Sequence, residues 1–165
     1  MDIEIRPAEL SDVQAILNIV NYEIKHTTSV YDYEERTLDD QVRWLNKKRK
    51  DGMPVIVAEY NNDVAGYGTF GIFRPWDAYQ FSVEHSIYVA KKVRGKGIGR
   101  AIMKELISMA TERGYHTMIA GIDASNKSSH EFHSKFGFVE VGRLKEVAYK
   151  FDKWLDLKFM QLFLK

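Results

Sequence analysis

Residues 89–100 read VAKKVRGKGIGR, a run that joins alternate glycines to dense positive charge. Gly95, Gly97 and Gly99 carry no Cβ, so the backbone there can take positive φ and come close to a ligand. The helix expected next opens with amides that have no partner inside it, and its partial positive charge favours an anion. Lys91, Lys92, Arg94, Lys96 and Arg100 add formal charge around Ile98. A strand, a basic glycine-spaced loop and a helix in that order make a seat for a pyrophosphate. The plain alternative is a tight solvated turn with a basic rim. The pattern is not the dinucleotide fingerprint, which needs Gly-x-Gly-x-x-Gly early in a βαβ unit and an acid about twenty residues on. Nor is it a P-loop, because no Lys-Ser or Lys-Thr follows the glycines.

Two further groups can carry chemistry. In residues 83–89, VEHSIYV, strand alternation puts Glu84, Ser86 and Tyr88 on one face and Val83, His85, Ile87 and Val89 on the other. A carboxylate inside an apolar strand is costly to bury without a partner or a task. Partial burial raises its pKa and makes it a better base. Glu84 is therefore a candidate general base, with an ion pair to a neighbouring cation as the structural alternative. In residues 126–138, NKSSHEFHSKFGF, the side chains of Asn126, Ser129 and His133 fall at i, i+3 and i+7 and share a helix face.

The elements that must position these residues follow from periodicity. Residues 3–6 read as a strand. Ser11 reads as an N-cap, with Gln14 completing a capping box, and Val13, Ile16, Leu17, Val20 and Ile24 form one helical stripe. Thr37 opens a second helix with Leu38, Val42 and Leu45 inward. Residues 55–60 and 64–73 are strands joined by an Asn-Asn-Asp turn, and residues 81–89 are a third long strand. Residues 99–113 form a helix with Ile102, Leu106, Met109 and Ala110 on its core face, stopped by Gly114. A strand at 117–122, a short helix at 128–136 and strands at 138–141 and 157–164 complete the chain. The order β-α-α-β-β-β-α-β-α-β-β is a mixed α/β sheet with helices on both faces. The crossover from residues 81–89 through the helix to residues 117–122 requires parallel neighbours, and ligands in such sheets sit where strands part at their carboxyl ends.

Composition narrows the classes. The 165 residues suffice for one domain with a real core, and the formal net charge of +1 implies no field that would recruit nucleic acid or an acidic membrane. There is no cysteine, so disulfides, thiolate metal sites and a Cys nucleophile are excluded, and no metal is called for. The charged start MDIEIRPAEL and the lack of any long apolar run predict a soluble, cytoplasmic protein.

The run Arg94-Gly95-Lys96-Gly97-Ile98-Gly99 resembles the Arg/Gln-x-x-Gly-x-Gly/Ala loop of the GNAT superfamily of N-acetyltransferases. The order of elements matches the GNAT fold as well, a mixed, mostly antiparallel seven-stranded sheet, so the resemblance covers residues 1–165 as a single domain. It implies that residues 94–100, Arg94 to Arg100, cradle the pyrophosphate of acetyl-CoA. Residues 126–138 are similar to the family's Asn-x-x-Ala-x-x-x-Tyr-x-x-x-Gly-Phe block, which implies that Asn126 and Ser129 lie along the pantetheine arm. Here Ser129 stands for the Ala and His133 for the Tyr, the family's proposed acid for the departing thiolate. A protonated His133 can serve, since the unperturbed pKa is about 6.5. A histidine bonded only to water is the alternative. The resemblance also implies a bulge in the Glu84 strand beside the cofactor, with Tyr88 next to it and the Val89 amide facing the thioester carbonyl. Glu84 holds the position of the family's general base.

Arg74, Tyr79, the stretch at residues 120–126 and the aromatic C-terminal segment resemble the phosphinothricin and methionine sulfone (sulfoximine) acetyltransferase branch. This implies a small amino-acid acceptor held at Arg74, Tyr79 and Glu84, and a homodimer. A bidentate guanidinium suits a carboxylate or phosphinate. An Arg74 stacked on Trp76 in solvent is the structural alternative. Three other functions stay open: acetylation of a polyamine, acetylation of a protein N-terminus, and a non-catalytic coenzyme-A-binding regulator.

Overall fold

The computed structural model describes residues 2–165. Its regular elements are β1 (Ile3–Pro7), α1 (Val13–His26), α2 (Leu38–Lys50), β2 (Val55–Tyr60), β3 (Asp63–Ile72), β4 (Ser82–Val89), α3 (Ile98–Glu112), β5 (Thr117–Asp123), α4 (Lys127–Ser134), β6 (Val139–Lys150) and β7 (Lys153–Phe163). The strands form one seven-stranded sheet in the order β1-β2-β3-β4-β5-β7-β6. Only β4 and β5, linked through α3, run parallel; the other neighbours are antiparallel. This is the α/β arrangement that the alternation and helical stripes predict.

Alternation in β2 builds two cores. Val55 and Val57 face α1, whose Val13, Ile16, Val20 and Ile24 pack there with Tyr67. Ile56 and Ala58 face α3, whose Ile98, Ile102, Met103, Leu106 and Ala110 pack with Phe70, Met118 and Met160. Met109 reaches only the edge of this second core. The sheet lets α3 come close because β3 carries glycine beneath it. A Cβ at Gly68 would stand 2.4 Å from Ile102 Cγ2 and 3.0 Å from Leu106 Cδ1. One at Gly66 would stand 2.9 Å from the Tyr88 carbonyl oxygen. No helix among the described residues is long and apolar enough to cross a membrane.

Several expectations are corrected. Ser11 does not cap α1. A single 3-10 turn, Leu10–Asp12, precedes it, and Asp12 instead accepts the Glu9 amide at 2.7 Å. Arg6 explains the choice: it donates to both Asp12 oxygens at 2.7 and 2.9 Å and to Glu59 at 2.6 Å, tying the entry of α1 to β1 and β2. Thr37 does cap α2, in a reciprocal pair with Asp40, but Leu38 is exposed while Leu45 is buried. The last two strands run far beyond residues 138–141 and 157–164. They form a long hairpin whose outer strand has register shifts at Glu140/Gly142 and Leu144/Ala148, so apolar alternation is lost. Finally, the β3–β4 ladder is regular from Ile72/Val83 to Gly66/Val89. The bulge expected in β4 is absent, and the irregularity lies instead between β2 and β3 at Ala58/Glu59.

The close approach of α3 gives a direct test. Gly68→Ala forces a methyl group into Ile102 and Leu106. Overpacking of this kind costs about 1–3 kcal/mol. The urea midpoint is expected to fall accordingly, and an unchanged midpoint would contradict the packing.

Candidate active site

The parting of β4 and β5 creates the site. They pair only at Ser82/Thr117, Val83/Met118 and Glu84/Ile119, after which β4 continues to Val89 alongside β3 alone. Ala90 N donates to Ala65 O at 2.8 Å. The alternation of an antiparallel ladder then turns the amides of Ile87 and Val89 away from β3, into the gap. The resulting cleft, of about 850 Å³, passes through the sheet. It is lined by His85, Val89 and His133 from the α3 face and by Ser86, Gly121 and Asp123 from the α1 face.

At its mouth stands the glycine loop. Gly97 caps α3 with φ of 85°, a left-handed conformation that disfavours any side chain. The first helical bond is Ala101 N to Gly97 O, so the amides of Ile98, Gly99 and Arg100 have no acceptor within α3. Gly95, with φ of 78°, makes the preceding turn. These groups are the unpaired main-chain donors that the expected anion seat needs. Arg94 behaves differently. Its guanidinium is held by buried Glu23 of α1 and by Val89 O at 3.1 Å, so it braces the loop and leaves the donors of the main chain to a ligand. Lys96 and Arg100 are exposed beside the seat. Lys104 and Lys135 also line the cleft and escaped the sequence reading. Lys104 lies one turn beyond Arg100, a spacing that could have revealed it.

Asn126 caps α4, its Oδ1 accepting from Ser129 N at 3.1 Å and from Ser128 Oγ at 3.0 Å. That leaves the Asn126 amide hydrogens for a carbonyl in the cleft. Ser129 lines the same wall. His133 is buried. Its Nδ1 lies 2.7 Å from Ser129 O, and its Nε2 lies 3.1 Å from His85 Nε2. A carbonyl only accepts, so the network assigns the proton of neutral His133 to Nδ1. Its Nε2 then accepts from His85 Nε2–H. His85 Nδ1 remains a buried acceptor with no partner among the described residues. Burial depresses both imidazoles, His85 to about 3, with the neighbouring His133 adding to the fall in His85. In this arrangement both ring nitrogens of His133 are engaged, Nδ1 by Ser129 O and Nε2 by His85. The partner, His85, is 48 residues away in sequence, which no local spacing reveals.

Glu84 and His85 take opposite faces of β4, as alternation requires. Glu84 stands behind Gly121 at the wall of the cleft: a Cβ on Gly121 would be 3.3 Å from Glu84 Oε2. Burial raises the Glu84 pKa, and the positive charge of Arg74 partly opposes this. No hydrogen bond or ion pair holds the carboxylate among the described residues. Arg74 lies over the Phe73 ring at 4.3 Å, not on Trp76. Tyr79 packs edge-on to Phe73 at 5.9 Å, and Phe73 meets Phe159 at 6.0 Å. Glu84, Arg74 and an aromatic wall thus occupy one side of the sheet. Tyr88 turns to that side too, against Tyr67 at 5.4 Å.

The histidine pair gives a pH signature. Both folded pKa values lie below the unfolded value of about 6.5, so below that pH the unfolded chain binds protons that the folded chain refuses. Their contribution to stability is complete above pH ~6.5 and is lost as the pH falls toward the folded values. The unfolding free energy should therefore decline on acidification more steeply in the parent than in His85→Leu. Equal slopes would contradict the pairing.

The acetyltransferase (GNAT) family pattern matches residues 18–138. The L-methionine sulfoximine/L-methionine sulfone acetyltransferase of Salmonella typhimurium is 39% identical over 158 residues, covering 96% of this chain and 92% of that protein. An N-acetyltransferase from Staphylococcus aureus Mu50 is 48% identical, with a TM-score of 0.98 over 100% of both chains. The Salmonella typhimurium protein yncA, solved with its cofactor acetyl-CoA, is 38% identical, with a TM-score of 0.95 over 99% of this chain and 94% of that one. The cleft through the sheet, the anion seat and these likenesses agree: the chain belongs to the GNAT family and is an N-acetyltransferase with acetyl-CoA as donor.

Proposed function

We propose that this enzyme acetylates the α-amino group of small amino acids and their analogues, of the methionine sulfone, methionine sulfoximine or phosphinothricin kind. The observation that carries the reading is the two-sided cleft. Main-chain donors line the cleft, and the carboxylate of Glu84 lies just behind Gly121 of its wall, where the charge of Arg74 acts on it. A zwitterionic acceptor fits this pair, its ammonium toward Glu84 and its anionic end toward Arg74 and Tyr79. The curated relative named for methionine sulfoximine and sulfone supports the same class. A polyamine would have no use for Arg74, and a regulator would have no use for a buried base.

The roles follow from position. The free ends of Ile98, Gly99 and Arg100, with Gly95, Lys96 and Gly97, receive the pyrophosphate. Asn126 and Ser129 meet the pantetheine arm. Glu84 takes a proton from the ammonium through water, and the amine attacks the thioester carbonyl. The Val89 amide, turned into the gap, stabilises the oxygen on which charge develops. The C–S bond then breaks, and the second proton shed by the attacking nitrogen passes through water to the departing thiolate, since His133 has none to spare. His133 and His85 serve by holding the wall against which the arm lies. We further propose that residues 1–165 act as one cytoplasmic domain. The exposed outer strand β6, with Val139, Val141, Leu144 and Val147, supports a homodimer.

Initial rates with L-methionine sulfone, L-phosphinothricin, spermidine and a peptide with a free N-terminus test the reading. The amino-acid analogues are expected to give the highest kcat/KM, and a preference for spermidine or the peptide would refute it. Glu84→Gln is expected to slow the chemical step by roughly 10²–10⁴-fold, typical of a positioned base. The parent kcat/KM should rise with pH through a value above the ordinary carboxylate range, because the base works deprotonated and burial raises its pKa.

A further inference from the structure

Three acids are buried among the described residues: Asp12, Glu23 and Asp123. Two have an arginine. Asp12 is paired with Arg6, and Glu23 with Arg94. Asp123 has no cationic partner among the described residues. Its Oδ1 accepts from Ser125 N at 2.9 Å and from Ser125 Oγ at 2.5 Å. Its Oδ2 accepts only from Tyr31 OH, at a long 3.3 Å. A buried carboxylate without a counter-charge is expensive, and hydrogen bonds from neutral groups offset only part of the cost.

The position of Asp123 shows where the missing charge belongs. It is the last residue of β5, it lines the cleft, and it lies two residues beyond Gly121 on the strand. Residues two apart on a strand share a face. Asp123 therefore shares the face of the sheet on which Glu84 stands behind Gly121, a position with no side chain of its own. We infer that Asp123 is the specificity residue that holds the acceptor's ammonium group, the cation that completes its pairing, while Glu84 takes the proton.

The division of labour is physical. Asp123, fixed by Ser125 and Tyr31, attracts and orients the charged amine. Glu84, without hydrogen bonds and with its pKa raised by burial, is free to take the proton. Tyr31 keeps its proton, its pKa pushed up to about 12 by burial and then by the Asp123 charge, so it donates to Oδ2 at any working pH. Tyr31 lies in the segment between α1 and α2, and this bond ties that segment over the acceptor end of the cleft. The site then selects compact ammonium groups over neutral isosteres.

The inference rests on the acetyltransferase reading above, and the test separates the two. Steady-state rates are measured with L-methionine sulfone for the parent and Asp123→Asn, which keeps the shape and removes the charge. Inhibition is measured with the 2-hydroxy analogue, in which a hydroxyl replaces the ammonium. Failure of the parent to turn over any amino-acid analogue refutes the functional reading; the charge test is then made on whichever amine the parent does acetylate. For Asp123→Asn the acceptor KM is expected to rise on the order of 10- to 100-fold, the span for a charged hydrogen bond. The KM of acetyl-CoA should be unchanged, and the preference for ammonium over hydroxyl should be lost. The melting temperature of the free enzyme should be unchanged or higher, since an unpaired buried charge is gone; a purely structural Asp123 would lower it. Asp123→Glu and Asp123→Gln form a second contrast of equal size, in which only the charged variant should retain the ammonium preference. An unchanged acceptor KM in Asp123→Asn, or equal preferences in the Glu and Gln variants, overturns the inference.

Discussion

After three pairs of residues, β4 and β5 no longer bond to one another. Strand backbone in the middle of a sheet needs partners for its amides and carbonyls, because an unmet buried polar group costs free energy comparable to a lost hydrogen bond. Arg94 meets the Val89 carbonyl, but the gap leaves the amides of Ile87 and Val89 facing a cleft. Only a ligand or water can meet them, so the same break that weakens the sheet makes it a binding site. The crossover helix α3 must start near this point because it leaves the carboxyl end of β4, and its unpaired amides converge on the opening. Gly66 and Gly68 set how close α3 lies, and Gly97 sets the direction of its first turn.

Charge is distributed around this opening by side chains that are themselves pinned. Arg94 is not a free cation: Glu23 and Val89 O hold it, so it links the loop, α1 and the end of β4 in one contact. On the far side, Glu84 lacks hydrogen bonds, and Arg74 is the cation that acts on it. Main-chain donors thus gather at one end of the cleft, and carboxylates at the other. The His85–His133 pair stands between, neutral because burial keeps it so.

Much of this was legible in the sequence because it depends on local geometry. A period of two fixes Glu84 and His85 on opposite faces whatever the rest of the chain does. Three glycines between a strand and a helical stripe announce an anion seat. The cap at Thr37 needs only Asp40 three residues on. The parts that were not legible depend on distant partners. Ser11 and Gln14 satisfy a local capping rule, yet Arg6 and Glu59 decide in favour of Asp12. The helix spacing places His133 on the face of Asn126 and Ser129 but cannot show His85, which comes to it from another strand. Residues 142–156 mix charged and apolar groups without a regular period because β6 is an edge strand with two register shifts, so no buried face imprints one.

Hydrogen exchange at single amides tests the account at its centre. The claim is that the amides of Val89, Ile98, Gly99 and Arg100 are free in the cleft and become the donors to acetyl-CoA. Adding acetyl-CoA should slow exchange at those positions and leave the hairpin tip at Phe151 and Asp152 unchanged. Bound acetyl-CoA with no slowing at residues 89 and 98–100, or with slowing confined to other segments, would contradict it.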